Sequence, residues 1–197
     1  GTDRTGEIVL FEQRCVFWGS GGGGPIGGGI GPGDPIGGGP QKPGQIDIPG
    51  ETERLFQDCL KIVEAHLKEQ LANTIRDNNR SNQPLALLIA HAAVESTLGT
   101  ALVGLGGELG LFQLKPSTAR GLGLEKFTNK QLRDDFALNT RLGTTYLQQQ
   151  VNAFGGDVRS GLGAYKQGAK SVRENGLTPR SQIYADAIQK CAKSIQR

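Results

Sequence analysis

From Glu51 to the C-terminus, apolar residues recur at the three- and four-residue spacing that is typical of amphipathic helices. The first such run predicts one helix of about six turns. Its apolar face consists of Phe56, Cys59, Leu60, Val63, Leu67 and Leu71. Ser81 and Pro84 then predict a second helix start, a capping residue followed by a proline in the first turn. That helix contains LALLIAHAAVES, which is apolar on nearly every side, so we expect it to be central and buried.

Glycines mark the loops that follow this apolar helix. Gly99 predicts its end, and the glycine-rich stretch 104–110 predicts tight loops or a short hairpin near 101–114. Pro116 then begins a short helix. Together these signals predict a mostly α domain with one small β element.

Capping residues mark the helix starts in the C-terminal half. Thr128 and Asp134 are the expected caps of two helices, and Asp135 and Asp157 also lie at helix starts, where capping accounts for their carboxylates. The remaining helices are expected near 158–165, near 169–173, and from Thr178-Pro179 towards Lys193.

Residues 1–50 differ in composition from the rest of the chain. They hold seventeen of the 31 glycines and six of the nine prolines. Residues 8–18 are rich in β-branched and aromatic side chains and predict a strand or a docking arm. The following segment, which contains PIGGG twice, predicts a linker or an extended arm. We therefore divide the chain into an arm and linker at residues 1–50 and a globular domain at residues 51–197.

Charge and composition restrict the partners. Residues 51–197 carry 19 basic and 14 acidic side chains, an excess that suits an anionic polymer such as a bacterial wall. Nucleic acid is also anionic, but no basic cluster interleaved with aromatic residues supports nucleic-acid binding. The longest apolar run, 85–94, is interrupted by His91 and falls well short of the ~20 residues of a membrane span. No CxxC pair is present and the two histidines are far apart, so we expect no metal and no cofactor.

Glu95 is the candidate catalytic group. It lies at the end of the most apolar helix, with Leu88, Ala92 and Gly99 on its side of the helical wheel. Apolar surroundings disfavour a charged carboxylate, so we expect a raised pKa for Glu95. A carboxyl that is protonated near neutrality can act as a general acid on a glycosidic oxygen. The alternative is an ordinary solvent-facing glutamate at a helix end.

Five short motifs occur in order along the domain: VES at 94–96, GLFQL at 110–114, PSTA at 116–119, AYKQG at 164–168 and a late tyrosine, Tyr184. In this order they resemble the catalytic domain of lytic transglycosylases and, more distantly, goose-type lysozymes, over roughly residues 55–193. The resemblance implies a lysozyme-like α+β fold and peptidoglycan glycan strands as the binding partner. It also implies a periplasmic, extracellular or virion-associated location.

The resemblance implies a role for each residue that matches a family motif. Glu95 matches the catalytic acid/base. The substrate-binding positions implied are Ser96, Gly110, Leu111, Gln113, Tyr165, Lys166 and Tyr184. Lys166 replaces the family's usual asparagine, and Phe112 replaces its usual methionine. Glu108 is interpreted as a loop residue before a substrate contact, and His91 as a packed, hydrogen-bonded histidine rather than a base.

A single catalytic glutamate shapes the expected mechanism, since glycosidases ordinarily use two carboxylates. The resemblance implies that the N-acetyl group of the muramic acid assists. Glu95 then acts first as the acid and afterwards as the base towards the C6 hydroxyl, which gives a 1,6-anhydro product. Two alternatives stay open: a hydrolytic muramidase that uses the same site, and a non-catalytic module that holds glycan as part of an assembly.

The arm and the cysteines add two further expectations. Residues 1–50 suggest attachment to a larger assembly, such as a phage virion, a secretion apparatus or an envelope complex. In a lysozyme-like domain the first and last helices can pack side by side, which would make Cys59 and Cys191 neighbours. A disulfide between them and a pair of buried reduced thiols are both consistent with the sequence. In either case Cys15 has no predicted partner within the chain.

Overall fold

The computed structural model describes residues 48–196, in which the chain forms nine α-helices. They are α1 (Ile48–His66), α2 (Glu69–Asn78), α3 (Leu85–Ser96), α4 (Pro116–Gly121), α5 (Asn129–Asp134), α6 (Phe136–Ala153), α7 (Val158–Gln167), α8 (Ala169–Asn175) and α9 (Pro179–Ile195). The predicted small β element consists of two isolated antiparallel bridges, which pair Leu109 with Val103 and with Leu114. The mostly α fold expected from the sequence is confirmed.

The predicted single helix of about six turns is wrong, because the chain forms two helices there. The last helical bond of α1 runs from the Leu67 amide to the Val63 carbonyl, and Lys68 is extended with φ −111° and ψ 149°. The break lets the two halves pack against different neighbours. α1 packs mainly on α9, whereas α2 packs on α6, and both contact α3.

Two predicted caps are also wrong. α3 begins at Leu85 without a side-chain cap, and the Ser81 hydroxyl donates instead to Oδ1 of Asn79. Asp134 is the last residue of α5, where Lys130 and Arg133 bind its carboxylate.

The other predicted caps are confirmed. Asp135 accepts from the Leu138 amide at the start of α6, and Asp157 caps α7. Thr128 forms a reciprocal capping box with Gln131 at the start of α5. Thr178 caps α9, whose first residue is Pro179.

The apolar helix α3 lies at the centre of the core, as predicted. Nine of its twelve residues are buried. It packs against α1, α2 and α9, and its buried side chains belong to the larger of two hydrophobic clusters. A helix enclosed in this way holds its C-terminal end in a fixed position relative to the surrounding elements.

A disulfide joins Cys59 on α1 to Cys191 on α9, with the two Cα atoms 6.3 Å apart. Both residues are fully buried at the contact between these helices. The structure therefore confirms the bridge, one of the two alternatives that the sequence left open. It closes a loop that spans almost the entire globular domain.

The predicted arm at 8–18, the glycine-rich linker and Cys15 lie outside the described residues. α1 begins at Ile48, three residues before the expected start of the globular domain. Within residues 48–196, no helix combines the length and the apolar character needed to cross a membrane.

Candidate active site

Glu95 is the penultimate residue of α3, at a point where the backbone leaves the helix abruptly. Thr97 and Leu98 both adopt φ of 53°, in the left-handed region that non-glycine residues rarely occupy. Gly99 continues the turn with φ of 86°. The Phe136 ring packs so closely against Gly99 that a Cβ at this position would lie 2.6 Å from a ring carbon. Such strained backbone is often found at functional sites.

Ser96 fastens this helix end to the segment 110–114. Its hydroxyl donates to the Leu111 carbonyl at 2.7 Å and accepts from the Gly99 amide at 3.0 Å. Ser96 is fully buried, so its hydroxyl faces protein and not the cavity described below. This placement favours a structural role for Ser96 over the predicted substrate contact.

Asn139 of α6 holds the segment 110–114 in place through side-chain hydrogen bonds. The Asn139 side chain accepts from the Phe112 amide at 2.7 Å and donates to the carbonyls of Leu109 and Leu132 at 3.0 and 2.8 Å. Gly110 has φ of 80°, and a Cβ there would lie 2.3 Å from the Asn139 amide. Sequence reasoning missed Asn139, which has polar neighbours in Thr140 and Arg141 and therefore gives no distinct signal along the chain.

Within the segment 110–114 the side chains differ in their exposure. Leu111 and Phe112 are fully buried in the core, so Leu111 supports the wall and does not form its surface. Gln113 is partly exposed with φ of 47°, and its amide donates to the Gly110 carbonyl at 2.8 Å. Among the described residues, the non-glycine positions with positive φ are Thr97, Leu98 and Gln113. Thr97 and Leu98 follow Glu95 closely in the chain, and Gln113 lines the same cavity as Glu95.

Two tyrosines complete the surroundings of Glu95. The Tyr184 hydroxyl donates to Oε1 of Glu95 at 2.5 Å. The Tyr165 hydroxyl donates to the Phe112 carbonyl at 2.8 Å, so it secures the wall from the side of α7. Burial, followed by the nearby Glu95 carboxylate, raises the pKa of both tyrosines, and each hydroxyl therefore remains a hydrogen-bond donor.

The expected raised pKa of Glu95 is wrong. The carboxyl is buried, with 8% of its side chain exposed, and burial is the strongest single influence and raises its pKa. The positive charge of Lys166, the interaction with His91 and the hydrogen bond from Tyr184 act in the opposite direction and together lower the pKa of Glu95 below its ordinary value.

A cavity of about 270 Å³ opens above Glu95, between the loop 101–115 and helix α7. Lys166 is exposed at its edge and lies over the Tyr184 ring, with Nζ 5.7 Å from the ring centre. On the opposite side Lys115 pairs with Glu108 at 3.5 Å, and a Glu108 oxygen also accepts from the Gly106 amide. The cavity is lined by Glu95, Glu108, Gln113, Leu114, Lys115, Thr118, Tyr146, Tyr165, Lys166, Gln167 and Gly168.

The site residues predicted from the sequence fall into two groups. Glu95, Gln113, Tyr165 and Lys166 line the cavity, and Tyr184 contacts it through Glu95. Ser96, Gly110 and Leu111 are buried behind the wall. Besides Glu108, the lining residues outside the predicted site are Leu114, Lys115, Thr118, Tyr146, Gln167 and Gly168.

Gln167 has a structural role. Its amide donates to the Gly176 carbonyl at 3.0 Å, and its oxygen accepts from the Thr178 amide at 3.0 Å. It therefore links the end of α7 to the start of α9, the helix that carries Tyr184.

The site contains one buried carboxyl, that of Glu95, at the floor of an open cavity. The Tyr184 hydroxyl donates a hydrogen bond to this carboxyl, and the positive charge of Lys166 lies nearby. Such a group can exchange a proton with a bound hydroxyl or ether oxygen. Within residues 48–196, no cluster of three or more His, Cys, Asp or Glu side chains is arranged to hold a metal ion.

Comparison with protein families identifies one matching family. The family model for the transglycosylase SLT domain matches residues 72–188, more than half of the chain. The matched range includes Glu95, the segment 110–114, Tyr165 and Tyr184. It excludes α1 and the two disulfide cysteines. The chain therefore belongs to the transglycosylase SLT domain family.

Proposed function

We propose that this protein is a peptidoglycan lytic transglycosylase that cleaves the β-1,4 bond between N-acetylmuramic acid and N-acetylglucosamine, with Glu95 as its single acid/base. Membership of the SLT family supports peptidoglycan cleavage of the lytic transglycosylase type, outside the cytoplasm. The observation that carries the assignment of Glu95 is its position, a buried carboxyl on the cavity floor whose Oε1 is bound by Tyr184.

In the first step the protonated Glu95 carboxyl donates its proton to the glycosidic oxygen as the bond from that oxygen to C1 breaks. The carbonyl oxygen of the substrate's own N-acetyl group bonds to C1 and stabilises the positive charge that develops there. A bound sugar also excludes water from the cavity, which favours the protonated form of a carboxyl. This counteracts the lowering influence of Lys166 in the free protein.

In the second step the Glu95 carboxylate takes the proton from the C6 hydroxyl of the same sugar. O6 then bonds to C1, the bond from the N-acetyl oxygen to C1 breaks, and a 1,6-anhydro ring results. Glu95 is protonated again at the end, by the proton from the C6 hydroxyl, so no second carboxylate is required. Within the described cavity the other carboxylate, Glu108, is paired with Lys115, which supports a single-carboxylate mechanism.

The walls of the cavity suggest how a glycan strand is held. Gln113, Tyr165 and Lys166 present polar groups to the cavity around Glu95, and we assign them to substrate binding. The ammonium group of Lys166 suits a carboxylate of the muramic acid or of its peptide. Lys166 therefore has a charged ammonium group at the position where the family usually has the neutral amide of asparagine.

Residues 1–50 are proposed to attach the catalytic domain to a larger assembly, a phage virion or a cell-envelope complex, where it would degrade the wall locally. The proposal is supported by the composition of this segment, in which a strand-like run precedes a glycine- and proline-rich linker.

The mass of the products tests the reaction type. Purified peptidoglycan digested with this protein should yield muropeptides that are lighter by one water than those from a hydrolytic muramidase. Reducing-end muropeptides alone would reject the intramolecular step and identify a muramidase that uses the same site. Release of no muropeptide at all would indicate a module that only holds glycan.

A further inference from the structure

His91 lies one turn before Glu95 on α3 and faces the same side of the helix. Its side chain is fully buried, and neither ring nitrogen has a hydrogen-bond partner among the described residues. The expectation of a packed histidine is therefore confirmed, but the expected hydrogen bond is absent within residues 48–196. Because buried polar groups are nearly always hydrogen-bonded, the two unpartnered nitrogens require an explanation.

Three aromatic rings fix the plane of the His91 ring. Phe112, Tyr165 and Tyr184 contact it edge to face, with ring centres 5.5, 4.5 and 6.1 Å away. Aromatic rings in this geometry pack favourably and leave an imidazole little freedom to turn. The direction of its ring nitrogens is therefore set by the packing of α3, α7 and α9 around it.

Nε2 of His91 lies 3.8 Å from Oε1 of Glu95. This is less than 1 Å beyond the usual range for an N–H···O hydrogen bond. Oε1 already accepts from the Tyr184 hydroxyl, and a carboxylate oxygen has room for a second donor. A small movement of the Glu95 side chain would complete that second bond and pair a buried nitrogen at the same time.

We propose that His91 is a positioning residue: after the small movement described above, its Nε2–H donates a hydrogen bond to Oε1 of the Glu95 carboxylate. His91 thereby holds the carboxylate in place for the step in which Glu95 takes a proton from the sugar. The inference rests on the proposed function of Glu95. The ionisable groups that face this carboxyl are His91 from α3, Tyr165 and Lys166 from α7, and Tyr184 from α9.

The contact can be observed without any activity measurement, because the chain has only two histidines, His66 and His91. We would label the full-length protein with ¹⁵N-histidine and record the imidazole signals at neutral pH, with exposed His66 as the internal reference. The proposal predicts an Nε2–H tautomer for His91, and an Nε2 shift that changes in Glu95→Gln while His66 does not. An Nδ1–H tautomer, or His91 signals that are identical in the two proteins, would overturn it.

Two variants then separate positioning from packing. His91→Leu removes the donor at similar volume, whereas His91→Gln retains an N–H near the position of Nε2. We expect His91→Leu to move the alkaline limb of the kcat/KM profile by about one pH unit towards higher pH, the effect of losing one hydrogen bond to a charged group. His91→Gln should retain the wild-type limb. Equal profiles for wild type and His91→Leu would contradict the proposal.

The two tests also distinguish failure of this inference from failure of the proposed function. If Glu95→Gln cleaves wall as well as the wild type, the catalytic assignment fails whatever the histidine spectra show. If Glu95→Gln is inactive but the His91 signals are the same in both proteins, only the proposed role of His91 is contradicted. Should His91→Leu not fold, the spectra of the full-length wild type and Glu95→Gln decide alone.

Discussion

The Tyr184 hydroxyl lies 2.5 Å from Oε1 of Glu95 and donates a hydrogen bond to it, although 89 residues separate the two along the chain. The contact exists because α9, which carries Tyr184, packs against the central helix α3 that ends beside Glu95. The disulfide from Cys191 to Cys59 lies on the same helix α9. The orientation of the proposed catalytic carboxyl therefore depends on the packing of the last helix of the domain.

Replacing Tyr184 by Phe should remove this hydrogen bond with little change in packing. A hydrogen bond to a charged group contributes about 1.5–3 kcal/mol, so we expect kcat/KM to fall about 10- to 100-fold. Because the bond lowers the pKa of Glu95, its loss should also move the alkaline limb of the profile to higher pH. Kinetics on purified peptidoglycan, with a thermal melt as the control for folding, would measure both effects. An unchanged kcat/KM would exclude a role for the hydroxyl.

The activity of the wild type should decrease with rising pH on the alkaline side of its optimum. The general acid must be protonated, and the pKa of Glu95 in the free protein is below its ordinary value, so its acid form is lost as the pH rises through that pKa. Lys166→Met removes a positive charge that lowers this pKa. The alkaline limb of kcat/KM should therefore move to higher pH in Lys166→Met, and a limb that stays in place would contradict the electrostatic role of Lys166.

Reduction of the disulfide between Cys59 and Cys191 should destabilise the domain. A crosslink that closes a loop of more than 100 residues contributes roughly 4–5 kcal/mol on the chain-entropy model. For a domain of this size that corresponds to a decrease in Tm of about 10 °C. Thermal melts with and without reductant would measure it, together with a Cys59→Ala/Cys191→Ala double variant. Cys15→Ser is the matched control and should retain both the wild-type Tm and its sensitivity to reductant.

Asn139→Leu should destabilise the wall of the cavity. It would leave the Phe112 amide and the carbonyls of Leu109 and Leu132 without their buried partner, at a cost of roughly 1–3 kcal/mol for each buried group left unpaired. Denaturant unfolding should therefore show a loss of at least about 3 kcal/mol. Asn152→Leu, on an exposed position of the same helix, is the control and should change the free energy of unfolding by less than about 0.5 kcal/mol.

Local patterns were enough to predict most helices, the central position of α3 and the candidate acid. They failed at Leu67, because the break between α1 and α2 depends on a change of packing partner that spacing along the chain does not show. They failed for the pKa of Glu95 for a similar reason. The apolar helix around it was visible in the sequence, but the effect of Lys166 depends on the tertiary fold that brings its charge near Glu95.

The burial of Ser96 and the hydrogen bonds of Asn139 were also beyond the sequence. A short motif fixes the order of its residues and not which side chain faces the cavity. In VES and GLFQL some polar or small residues hold the backbone, whereas others line the cavity. Only the tertiary contacts of Ser96 with Leu111, and of Asn139 with Phe112, separate the two roles.

The most direct test of the account is lysis of purified peptidoglycan by the wild type and by Glu95→Gln at equal concentration. Gln has the size of Glu but cannot cycle a proton, so we expect lysis to fall by about 10²- to 10⁴-fold or more, with an unchanged Tm. Glu108→Gln, which alters the other carboxylate at the cavity, is the matched control and should retain measurable lysis. Retention of most activity by Glu95→Gln, or its loss in Glu108→Gln instead, would contradict the assignment of Glu95 as the catalytic acid/base.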